Sequence, residues 1–84
     1  MKEIINIINL HDEFNRLCDE LELKLKQRYP ELLKVMVMCK SLDVYLTFDD
    51  RFEDVDGLCD FMGCKYGGYF VMERNRITYR LVLK

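Results

Sequence analysis

Apolar positions from residue 7 to residue 25 recur every three to four residues. Set about 100° apart per residue, Ile7, Leu10, Phe14, Leu17, Cys18, Leu21 and Leu25 share one sector, so the spacing predicts an amphipathic helix. Pro30 disfavours helical geometry at Tyr29 and ends the helix there. Two starts fit the pattern: Asn9 as a cap, or a phase running back to Ile4. Ile5, Ile8 and Leu23 lie off the stripe and remain available to cover another surface.

Beyond Pro30 the chain changes character. Residues 33–39 (LKVMVMC) and 42–48 (LDVYLTF) are rich in β-branched and aromatic residues and are joined by Lys40-Ser41, which predicts a tight hairpin. The joint lacks Asn-Gly chemistry, which leaves its length open. A second hairpin is predicted from residues 69–73 (YFVME), a polar connection centred on Arg74-Asn75-Arg76, and residues 77–83 (ITYRLVL). Gly67-Gly68 ahead of it supplies a flexible lead-in or a bulge.

The stretch between the hairpins, FDDRFEDVDG at residues 48–57, holds five carboxylates and one arginine. Asp50 followed by Glu53 resembles a capping box and suits the positive end of a helix dipole. Phe52, Val55, Leu58, Cys59 and Met62 then fall on one side of a helix that Gly63 can end in left-handed geometry. Gly57 inside it costs about 1 kcal/mol relative to Ala. A calcium loop is excluded by spacing: with Gly57 at loop position 6, positions 1 and 12 are Phe52 and Gly63 rather than carboxylates. Paired glycosidase carboxylates would have to face each other across a cleft, which one convex helix does not offer.

The order αββαββ implies an α+β two-layer sandwich: a four-stranded, mainly antiparallel sheet with two helices on one face. Residues 1–84 form a single domain. Leu17-Cys18-Asp19 recurs as Leu58-Cys59-Asp60, as a duplicated αββ unit (residues 7–48 and 50–84) would give. Alternation assigns Val35, Val37, Cys39, Val44, Leu46, Phe48, Phe70, Met72, Ile77, Tyr79, Leu81 and Leu83 to the core. The opposite face then carries Met36, Met38, Asp43, Tyr45, Thr47, Tyr69, Val71, Thr78, Arg80 and Val82. That set is too rich in Met, Tyr and Val for a simple solvated surface. Three readings fit: the amino-terminal IINII segment folds over part of it, a small sheet simply tolerates some apolar exposure, or Met36, Met38, Tyr45 and Val82 form a contact face for another protein or for a homodimer.

Charge is unevenly spread. Residues 49–60 hold six acids and one arginine, a balance of −5, residues 65–84 hold five bases and one acid, a balance of +4, and the first 48 residues contribute −1, giving the net −2. Glu53, Asp56 and Asp60 are expected to line one ridge of the second helix. That ridge is either a solvated face or one that docks into a basic, nucleic-acid-binding groove on a partner. Lys65, Arg74, Arg76 and Arg80, with Lys84, form the candidate patch for direct contact with phosphates.

Catalytic and metal chemistry find little support. The only histidine is His11 and the only serine is Ser41, and no phosphate loop or Ser-His-acid set is present. Cys18, Cys39, Cys59 and Cys64 lack the paired spacing of zinc ligands, so reduced thiols are expected and no cofactor or metal is assigned. The absence of a cleavable leader or a long apolar run points to a cytoplasmic protein without a membrane partner, in the host cytoplasm if viral. The function these features favour is a small non-enzymatic interaction or inhibitor protein. By analogy of size and acidity, it would work as anti-CRISPR-like proteins of phages and mobile elements do, by blocking a host defence nuclease. The alternative is a nucleic-acid-binding module using the basic carboxy-terminal hairpin.

Overall fold

A computed structural model describes residues 1–83. The elements are α1 (Lys2–Arg28), β1 (Leu32–Met38), β2 (Asp43–Phe48), α2 (Val55–Met62), β3 (Cys64–Val71) and β4 (Ile77–Leu83). The αββαββ order stands, and the four strands form one antiparallel sheet in the order β1-β2-β4-β3. Both helices pack on the same face. Leu25 of α1 and Leu58 of α2 join Leu32, Leu46, Phe48, Tyr79 and Leu81 in one buried cluster. Each hairpin places its second strand at the centre and its first at an edge.

The first helix is longer than the fold beneath it. Its 27 residues extend about 40 Å at 1.5 Å each, whereas the molecule measures 48 Å along its long axis and 23 Å across. Only the second half of α1 rests on the sheet. Leu21 and Leu25 pack into the core, and Glu22 Oε1 accepts the backbone N–H of Val35 at 2.8 Å, which occupies part of the exposed edge of β1. Every residue from Met1 to Glu13 is exposed. Asn9 therefore lies inside the helix and caps nothing, and the IINII segment does not fold over the sheet. The helix runs back past Ile4 to Lys2, so of the two starts the earlier one stands, and the IINII segment is spent inside the helix.

Three further details depart from the sequence reading. The cap of α2 is Asp54, whose Oδ1 accepts from Gly57 N at 3.1 Å, and not Asp50; Gly63 does end the helix at φ 66°. The first turn spans residues 39–42, with Leu42 left-handed at φ 54°, so Cys39 leaves the core set. In β3 the register shifts between Tyr66 and Tyr69, through Gly68 at φ 112°. That bulge reverses the alternation after it. Tyr69 now opposes Tyr79 on the helix side, and Phe70 opposes Thr78 on the open side.

Candidate functional site

The face of the sheet without helices carries an apolar patch interspersed with polar side chains. Met36 opposes Tyr45, Met38 opposes Asp43, and Asp43 opposes Val82. Directly opposed residues of antiparallel strands share a face, so Met36, Met38, Tyr45 and Val82 come together as expected. Met36 and Met38 are 45% and 42% exposed, and the bulge adds Phe70 at 46%. Tyr45 and Phe70 meet with ring centroids 6.1 Å apart. Met36, Met38, Tyr45 and Phe70, with Lys34, Thr47, Met72 and Thr78, line a depression of about 420 Å³. The hydroxyls of Thr47 and Thr78 hydrogen-bond to each other at 2.9 Å across the central strands, which satisfies the polar groups among the apolar ones.

One charged pair anchors this face. Asp43 is only 2% exposed. Its carboxylate accepts from Ser41 Oγ at 2.6 Å, from Arg80 Nε at 2.7 Å and from Tyr45 OH at 3.4 Å. The Ser41 hydroxyl and then the Arg80 guanidinium hold the Asp43 carboxyl below the usual aspartate range, and the carboxylate in turn raises Arg80. Arg80 also donates to Gly67 O at 3.5 Å. A buried carboxylate with three donors is a satisfied group that fixes its neighbours, here the ring of Tyr45.

The other candidate residues are more scattered than the sequence suggests. Asp56 and Asp60 sit one turn apart on α2 and are exposed, but Glu53 precedes the cap, so there is no ridge of three. Among the described residues no ion pair involves the acids of residues 49–60. Tyr79 holds this acidic segment to the sheet: its hydroxyl accepts from Phe52 N at 2.9 Å and donates to Phe52 O at 3.2 Å. Lys65 opposes Val82 at one end of the second hairpin, while Arg74 and Arg76 lie in the turn at the other, roughly 20 Å away by strand rise. Arg80, between them, is committed to Asp43.

Phe70 and Met72 are the site residues that sequence reasoning misplaced. The signal was present in Gly67-Gly68, since a bulge there shifts every later side chain of the strand to the other face. No disulfide joins Cys18, Cys39, Cys59 or Cys64. Among the described residues no cluster of His, Cys, Asp and Glu is placed to hold a metal, and no helix is long and apolar enough to cross a membrane. Compared with known proteins, the chain matches no family model, no curated protein and no solved structure.

Proposed function

We propose that the protein is a small non-enzymatic interaction protein whose open sheet face docks on another protein. What carries this reading is the uncovered run of Met36, Met38, Tyr45 and Phe70 around a depression. Methionine and aromatic side chains dominate the centres of protein interfaces, and contiguous exposed apolar patches mark contacts. The partner is foreign rather than a second copy through this face. With a two-fold axis through the patch, a hollow would meet its own image, whereas a protruding side chain of another surface fills it.

The carboxylates of residues 49–60, which form no ion pair among the described residues and lie on and before α2 on the helix side, favour a partner that also presents basic groups. An inhibitor that keeps a nuclease from its nucleic acid is the form of this function they suit. Direct nucleic-acid binding is the weaker reading, because its bases are dispersed along the second hairpin and Arg80 is already paired.

Immobilised wild type, Met38→Glu with Phe70→Glu, and Asp56→Lys with Asp60→Lys, each exposed to a plausible host lysate and read by mass spectrometry, test the assignment. The expected result is one protein retained by the wild type and lost from the sheet-face variant. A protein lost only from the acidic variant moves the contact to α2. Tight binding of DNA or RNA by the wild type at moderate salt overturns the reading.

A further inference from the structure

The overhanging half of α1 is a second uncovered surface, on a different part of the molecule. In the sector that packs Leu21 and Leu25 against the core, the stripe continues outward through Phe14, His11, Ile7 and Ile4. Beyond the half-buried Phe14 it has nothing beneath it: Ile7 is 65% and Ile4 54% exposed, and Leu10 beside them is 70% exposed. The spacing is three and four residues in turn, the pattern of a helix seam.

We infer that a second copy of this chain covers it, the two overhangs pairing antiparallel about a two-fold axis at the level of Asn9. The register follows from the sequence numbers. In an antiparallel pair a seam residue of one type meets the other type on the partner, and residues whose numbers sum to about 18 face each other. Ile4 then packs on the partner's Phe14, and Ile7 on the partner's His11, each contact occurring twice. On the flanks, Leu10 meets the partner's Leu10 and Ile8 meets the partner's Ile8. Arg16, with its ion pairs to Glu13 and Glu20, lies on the outer side, while Glu3, paired with the amino-terminal amine, borders the end of the seam.

This self-complementarity is what selects a second copy over a foreign helix. Two overhangs of about 20 to 25 Å and about 10 Å breadth bury on the order of 1,000 Å² in total, the lower limit for a specific interface. A reversible dimer in the micromolar range is the expected outcome, with both sheet faces left free. His11 is the one polar residue of the seam. Polar seam residues fix register at some cost in affinity. A membrane surface is the poorer occupant, since the polar side of the overhang carries Asp12 and Glu13 rather than a basic belt.

Molar mass by light scattering over a concentration series, up to several hundred micromolar, tests the dimer. The wild type should rise from 10.2 kDa towards twice that value. Ile7→Glu and Leu10→Glu should stay monomeric with unchanged strand and core signals, both positions being exposed in the monomer. His11→Leu should dimerise at several-fold lower concentration, and Met38→Glu should dimerise as the wild type does. A wild type monomeric at every concentration overturns the inference, whether or not it binds anionic vesicles. A dimer dissociated by Met38→Glu and not by Ile7→Glu overturns it equally.

Discussion

Asp43 and Arg80 lie diagonally across the two central strands with Oδ2 and Nε 2.7 Å apart, the acid buried and the base partly exposed. The asymmetry decides what each deletion does. Arg80→Ala leaves a buried carboxylate short of its charged partner, whereas Asp43→Asn leaves a guanidinium that can still reach water. Urea midpoints should therefore fall further for Arg80→Ala than for Asp43→Asn.

The same pair sets a pH dependence. The folded state holds the Asp43 carboxyl below its ordinary value, so at low pH the unfolded chain takes up the proton first. The stabilisation is present above the ordinary aspartate range and is lost as pH falls through the depressed folded value. The stability gap between wild type and Asp43→Asn, measured by urea unfolding at pH 7 and again near pH 3, should shrink at the lower pH. A gap that widens would contradict the assignment.

The cap of α2 separates two aspartates only four residues apart. Asp54→Ala removes the acceptor for Gly57 N and should lower stability by about 1 kcal/mol. Asp50→Ala should change it by less than about 0.5 kcal/mol, as exposed positions do. Gly57→Ala should not yield the usual helix gain, because a Cβ there collides with the Asp54 carboxylate. Thermal unfolding of the three variants checks the set.

Much of this was legible in the sequence, and the exceptions share a cause. The end of the α1 stripe, Leu21 and Leu25, and most of the alternation of β1, β2 and β4 matched the core, because burial enforces periodicity; Ile7, Leu10 and Leu17 of the stripe and Leu83 of β4 did not, and are exposed. The phase of β3 was hidden because residues 69–72 (YFVM) are apolar at every position, so alternation does not choose which of them face the core. The cap was hidden by crowding: Asp49, Asp50, Glu53 and Asp54 are all acceptors, and only the backbone geometry chooses among them. The length of α1 was understated because no packing contact marks where the body ends and the overhang begins.

The thiols should react in a set order. Cys39 is exposed in the first turn, Cys18 is half-buried, and Cys59 and Cys64 are buried. Burial, reinforced by the nearby Cys39 and Asp19, pushes the Cys18 thiol up, so less of it is thiolate at neutral pH. Alkylation followed by mass spectrometry should modify Cys39 first and Cys18 more slowly, with Cys59 and Cys64 modified only on unfolding. Early modification of Cys59 would mean that α2 opens readily from the sheet.

The central claim is that the open sheet face is the working surface, and photo-crosslinking from chosen positions tests it most directly. A photoreactive residue is placed at Met36 on the open face, at Val71 on the helix side, or at Asp56 on α2, and irradiated in a cell lysate. The account predicts one discrete adduct from position 36, none from position 71, and loss of the position 36 adduct on adding Phe70→Glu. Adducts from position 71 or 56 with none from position 36 would contradict it.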